Sequence, residues 1–294
     1  MSVLRGAQVL VTGASGFVGQ AVLQACREAG ANAVGMDRSR AFTDTLEDVR
    51  PTHVIHLAGV LPGAPGGSAV HDEANVRFTV RLFDAIRAAA MSPRILVASS
   101  SAVYGATTPE ENPLTERHPF RPLTAYAVSK VAQEMLAVQA HLADGLPTIR
   151  VRTFNLIGPG QSRTLLASDL AGQIAEAEWG GRSATLRVGN LTPRRDYTDV
   201  RDAARAYVLL AAGGAPGEVY NVCSGRSWSV QECLDVLARL ARVPVQVEVD
   251  AARQRAVEIP DQVGSAQRLN AATGWQPGIP VETSLRDLLD SWRQ

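Results

Sequence analysis

A mostly parallel α/β sheet, doubly wound with helices on both faces and followed by a smaller α/β lobe, is the architecture predicted for this 294-residue chain. Two observations carry the prediction. Short runs that are apolar throughout, without the alternation of a half-wet sheet, take turns with stretches of helical periodicity along the chain. That is the signature of buried parallel strands joined by crossover helices. The first run also opens into its helix through Gly13-Ala-Ser-Gly16-Phe-Val-Gly19, a turn of a kind that strand–turn–helix units use to approach a ligand closely.

The first strand spans residues 7–12 and the first helix 16–30. Between them, the first glycine permits a tight turn, the second lets a pyrophosphate near the backbone, and the third lets helix pack on strand. Free amides at the helix start then hold the phosphates. This makes the unit Rossmann-type, with Gly13, Ser15, Gly16, Phe17, Val18 and Gly19 as dinucleotide contacts. A second strand, 32–36, ends at Asp37, about 20 residues past the turn, where an acid suits the adenosine ribose hydroxyls. Arg38 follows directly, and a guanidinium there suits a 2′-phosphate, so NAD and NADP both stay open. The third strand, 53–58, brings Leu57, Ala58 and Gly59 to the cofactor, and the Pro/Gly-rich stretch 61–67 loops away beside it. Helical periodicity covers about 69–91, and 94–98 is a fourth strand. Ser99, Ser100 and Ser101 follow at its carboxyl end, the edge at which open α/β sheets bind ligands.

The Pro-rich loop 109–122 leads into a helix, opened by Thr124 or Ala125, that carries Tyr126 and Lys130. Residues four apart on a helix share a face. A free phenol, with a pKa of about 10, is a poor proton carrier near neutrality; a neighbouring ammonium favours the phenolate and moves it toward the working range. Residues 147–152 are a further strand, and 154–161 mark a sharp change of direction. Helix and strand then alternate outside the first sheet to about 189, and 194–200 return to it, with Asp199 opening a helix through Leu210. A strand at 218–222, a helix at 230–242, a strand at 245–249 and helices near Ser265 and Val281 complete the chain. The expected division is 1–158 with about 193–224 in the dinucleotide-binding unit, and about 159–192 with 225–294 in a substrate lobe.

Composition narrows the partners. Lys plus Arg and Asp plus Glu number 29 each, which removes the electrostatic footprint of a nucleic-acid binder. No apolar run reaches the roughly 18 residues that cross a bilayer, and the N-terminus lacks a cleavable signal pattern. Cys26, Cys223 and Cys233 sit in apolar contexts and read as reduced, buried thiols of a cytoplasmic protein. The five histidines show no metal-ligand spacing.

The glycine turn, the serines before Val103-Tyr104-Gly105, and Tyr126-x-x-x-Lys130 stand in the order of the extended short-chain dehydrogenase/reductase family, which the chain resembles from Val9 to its end. Within that family the segments 154–161, 195–202, 217–225 and 273–277 are most similar to the GDP-sugar branch. They resemble GDP-4-dehydro-6-deoxy-D-mannose reductases, which make GDP-D-rhamnose. The resemblance implies NAD(P)H as cofactor, Tyr126 as general acid, and Lys130 as the group that depresses its pKa and holds the nicotinamide ribose. Ser100 takes the position that orients the substrate carbonyl, with Ser99 and Ser101 as alternatives. Ser99 and Phe154 are implied cofactor contacts; Ser101, Asn155, Arg195 and Arg255 are implied substrate contacts. Arg255 lies in a segment where Ala256 replaces the usual proline, and planar guanidinium suits a diphosphate. Related dehydratases carry a glutamate where this chain has Ala102; without that base, reduction is favoured over elimination. A homodimer through helices near 70–91 and 126–142 is also implied. The rival readings are a nucleotide-sugar 4-epimerase with tightly held NAD and a non-catalytic dinucleotide sensor, since fold alone does not fix function.

Overall fold

The apolar runs pair in parallel. A computed structural model describes residues 3–37, 39–250, 252 and 259–294. In it, β1 (Gln8–Thr12), α1 (Phe17–Glu28), β2 (Asn32–Gly35), α2 (Phe42–Val49) and β3 (His53–His56) follow one another. Next come α3 (Gly67–His71), six residues of π-helix (Asp72–Arg77), α4 (Phe78–Ala88), β4 (Arg94–Ser100), α5 (Ala125–Asp144) and β5 (Thr148–Thr153). The chain then leaves through β6 (Asn155–Ile157), α6 (Leu166–Trp179), β7 (Ala184–Val188) and β8 (Arg194–Asp199), and comes back by α7 (Val200–Gly213) to β9 (Val219–Val222). The main sheet runs β2-β1-β3-β4-β5-β9, with every pairing parallel. Its order reverses between β1 and β3, and the crevice at the carboxyl ends of those strands is the ligand position of such sheets.

Strand geometry divides the core. Successive side chains point to opposite faces, so Val9, Val11, Ile55, Leu96, Ile149 and Val151 pack with Val22 and Cys26 of α1 and Ala203, Tyr207 and Leu210 of α7. Leu10, Val54, Ile95 and Val97 pack on the other face with Leu46, Leu82, Phe83, Ile86, Ala137 and Ala140. Each large aliphatic side chain fully buried this way contributes about 1.5–3 kcal/mol.

The lobe continues with β10 (Ser227–Ser229), α8 (Val230–Leu240), β11 (Val245–Val249), β12 (Asp261–Gln262), α9 (Gln267–Thr273) and α10 (Val281–Trp292). The first half of β8 lies between β10 and β12 and its second half pairs with β6, while β11 pairs with β7. Ser229 and Glu232 form a capping box on α8, whose Cys233, Leu234 and Leu237 face the lobe core. Among the described residues no helix is long and apolar enough to cross a membrane.

Three features differ from the expectation. Residues 42–49 form α2, because Phe42, Leu46 and Val49 fall on one helical face and pack against the main core. The single helix expected over 69–91 is divided by the π segment. Residues 194–199 are the central strand of a second sheet as well as the way back to the first.

Candidate active site

The glycine turn is shaped by contacts that a Cβ would violate. Gly13 has φ +70°, and a Cβ on it would lie 2.8 Å from the Ala58 nitrogen; one on Gly19 would lie 2.0 Å from the Gly13 oxygen. Only glycine closes this turn. Gly16 caps α1 without a side-chain bond and no acid stands in the first turn, so the amides of Phe17, Val18 and Gly19 begin the helix as an anion site. Ser15 and Gly16 are exposed, Phe17 and Val18 half-buried. Asp37 is exposed just past β2; Ser39 donates to its Oδ1 from N at 2.9 Å and from Oγ at 2.8 Å, which holds the carboxyl below its ordinary value. Arg38 lies outside the described residues. Leu57 and Ala58 pass under the turn to the exposed Gly59, where a Cβ would meet Asn75 Oδ1 at 2.6 Å and Lys130 Nζ at 3.7 Å. A cradle free of side chains, open helix amides and an acid at the end of β2 fit a dinucleotide.

Thr124 accepts from the Ala127 amide at 3.1 Å and so starts α5 where Tyr126 and Lys130 project together. The Tyr126 phenol neighbours the Ser100 hydroxyl; burial pushes the phenol up and Ser100 opposes that rise. Lys130 Nζ lies 6.0 Å from the Tyr126 ring centre, and donates to Ala98 O at 3.0 Å and Gln133 Oε1 at 2.7 Å. Burial brings the amine down to about 8, with Glu134 pulling the other way. In the free protein desolvation raises the Tyr126 phenol overall, so it stays protonated, the form an acid needs. The edge of His71 meets the other side of the tyrosine at 5.7 Å between ring centres, and its buried Nδ1 has no hydrogen-bond partner.

The serines separate cleanly. Ser99 donates to Glu134 Oε1 at 2.5 Å, and Glu134 receives both Arg152 Nε and Nη2 at 2.8 Å. Its hydroxyl is thus turned into a buried ion pair, which corrects the cofactor role expected of its side chain. Ser101, the expected substrate contact, is buried in the 3₁₀ turn that Ser100 caps. Of the three, Ser100 is the one whose hydroxyl acts on the phenol.

Phe154, an expected cofactor contact, has its side chain in the core, 3% exposed and packed with Val103, Tyr104, Leu114 and Cys223, which leaves its backbone for that contact. Asn155 is half-buried at the start of β6, opposite Tyr197. Arg195 Nη1 donates to the carbonyls of Arg194 and Ile259, both at 2.7 Å, and Arg255 lies outside the described residues. The Arg195–Asp202 motif has a structural duty that sequence reasoning missed. Asp196 accepts from Ser224, Gly225 and Gly264, Asp199 from Ser284 Oγ at 2.6 Å, and Asp202 from the amides of Gly278 and Ile279. His71 and Gln133 were also missed: His71 ends the short α3 with no motif around it, and Gln133 lies just past the Tyr126-x-x-x-Lys130 pair, whose spacing marks no further residue.

Comparison with known proteins agrees with this geometry. The profile of the NAD dependent epimerase/dehydratase family matches residues 9–223. The chain is 37% identical to a GDP-6-deoxy-D-mannose reductase of Pseudomonas aeruginosa over 97% of each chain. It is 30% identical to a UDP-glucose 4-epimerase of Streptomyces lividans, over 96% of this chain and 94% of that one. The solved structure of RMD from Pseudomonas aeruginosa complexed with NADPH superimposes with a TM-score of 0.89 at 35% identity, covering 98% of both chains.

Proposed function

Because the chain belongs to the NAD dependent epimerase/dehydratase family, we propose that it reduces the C4 ketone of GDP-4-dehydro-6-deoxy-D-mannose to give GDP-D-rhamnose, using NAD(P)H. The observation that carries this reading is the grouping of Tyr126 with Lys130 and Ser100 beside the glycine turn, with alanine at 102 where a dehydratase needs a carboxylate. Similarity to a GDP-6-deoxy-D-mannose reductase supports the choice of substrate.

The cofactor, when bound, supplies hydride to the ketone carbon. Gly13, Ser15, Gly16 and Gly19 hold its pyrophosphate and Asp37 its adenosine ribose. Negative charge grows on the ketone oxygen as the carbon is reduced, so donors aimed at that oxygen lower the barrier. Ser100 orients the oxygen and Tyr126, kept protonated by burial, gives it the proton. Lys130 offers its remaining N–H to the nicotinamide ribose and stabilises the phenolate left after the transfer. Asn155 on β6 and Arg195 on β8 meet the nucleotide-sugar where the chain passes between the cofactor unit and the lobe of residues about 159–192 and 225–294; Arg195 then exchanges its bonds to backbone carbonyls for phosphate.

Tyr126→Phe is expected to lower kcat by about 10²–10⁴-fold with NADPH affinity unchanged. NADPH absorbance with freshly generated keto-sugar, and a separate binding titration, check both parts; unchanged NADPH oxidation would sink the reading. Bound NAD retained through purification, without net oxidation of NADPH, would instead indicate the epimerase.

The protein works as a homodimer in this reading. Val128, Met135 and Leu142 are 55%, 42% and 77% exposed along α5. Their seven-residue spacing makes an apolar stripe suited to a helix of a second copy.

A further inference from the structure

A line of buried hydrogen bonds joins the glycine turn to Lys130. Lys130 donates to Gln133 Oε1 and Ala98 O, which leaves one of its three N–H bonds. Gln133 Nε2 donates to Thr79 Oγ1 at 2.8 Å, and Thr79 sends its own proton to Asn75 O at 2.5 Å. The Thr79 oxygen is therefore an acceptor toward His56 Nε2, 2.8 Å away, which assigns the imidazole as the Nε2–H tautomer. His56 Nδ1 then accepts from Thr12 Oγ1 at 2.7 Å, while the Thr12 oxygen accepts from the Ala58 amide at 3.2 Å. Gln133 Nε2 also lies 3.4 Å from His56 Nε2, and Thr12, His56, Thr79 and Gln133 are at most 1% exposed. The pattern admits one orientation of the Gln133 amide, oxygen toward the lysine.

We propose that Gln133 is a positioning residue for Lys130: its amide, locked by Thr79, which His56 holds in turn, aims the ammonium and favours its charged form, leaving the free N–H for the bound NAD(P)H ribose. This rests on the reductase reading only for the identity of the cofactor's reaction, not for its binding. The titratable groups facing Lys130 are Tyr126 and Glu134 on its own helix and His56 on β3. Glu134 is committed to Arg152 and Ser99, and burial with the nearby Lys130 charge keeps His56 neutral, at about 3. No other acceptor side chain among the described residues is bonded to the ammonium.

The test is the pH dependence of NADPH binding, followed by fluorescence titration of wild type, Gln133→Leu and Gln133→Glu, with no sugar present. Affinity is expected to fall on the alkaline side as Lys130 deprotonates. Gln133→Leu should move that fall down by about one pH unit, and Gln133→Glu should move it up. A residue that merely fills space would not shift the two variants in opposite directions, so superimposable profiles or shifts of one sign overturn the proposal. Binding is read without substrate; a wrong assignment of the sugar leaves this result standing, and shows instead as absent turnover with normal binding. If circular dichroism shows both variants unfolded, ¹⁵N-histidine NMR of the wild type decides. His56 is expected as neutral Nε2–H from about pH 5 to 9; the Nδ1–H tautomer or an imidazolium overturns the locked orientation.

Discussion

At the scale of single residues, burial governs the chemistry more than charge does. His56 shows it most clearly, with a pKa of about 3 in the fold against an ordinary 6.5, caused first by desolvation and then by Lys130. Because the folded value is depressed, the unfolded chain binds the proton more readily, and the stability carried by neutral His56 is complete above about pH 6.5 and is lost as pH falls toward 3. By pH 5 the loss amounts to about 2 kcal/mol. The stability gap between wild type and His56→Gln, measured by urea unfolding, is expected to narrow as pH falls from about 7 to about 5; a constant gap would show that His56 is not the depressed group. The sequence revealed Tyr126, Lys130 and the glycine turn because their spacing is itself the chemistry. It did not reveal which serine meets the phenol, since three adjacent hydroxyls differ only in where the strand ends and the 3₁₀ turn begins. Nor did it show Gln133 and His71, whose roles depend on contacts between helices far apart in sequence.

At the scale of elements, α5 is fastened to the sheet by polar bonds as well as by packing. Glu134 and Arg152 are 0% and 4% exposed and bonded twice, through Nε and Nη2 of one guanidinium edge, and the Arg152 guanidinium lies 4.7 Å from the Phe120 ring centre. Glu134→Ala strands a buried cation and frees Ser99, and is expected to cost about 3–5 kcal/mol in urea unfolding. The pair Glu134→Leu with Arg152→Met should cost less than that single change, because no charge is then left uncompensated. A double variant worse than the single would refute this account of the pair. Strand and helix order was legible here because buried parallel strands are apolar throughout. The π segment was not, for one added residue in a helical turn leaves no mark on amphipathic periodicity. Its value lies in placing Asn75, which accepts from the Val60 amide at 3.0 Å and donates to Ser129 Oγ at 2.8 Å, between the loop after β3 and the start of α5.

At the scale of the whole molecule, the apolar stripe on α5 sets the expected assembly. Met135→Lys places a charge in its centre and is expected to shift sedimentation from dimer to monomer at micromolar concentration; a wild-type monomer under the same conditions would remove the dimer. The two-sheet arrangement was legible in outline from the change of direction after Phe154, but the lobe's own sheet was not, because its strands are two to six residues long. The chain enters the lobe through β6, returns along β8 and α7 to add β9 to the first sheet, and leaves again at β10. A lineage built this way has no single point at which one specificity lobe can be exchanged for another by recombination. Substitution at single positions leaves those passages intact, and so is the route to a new sugar that this topology favours.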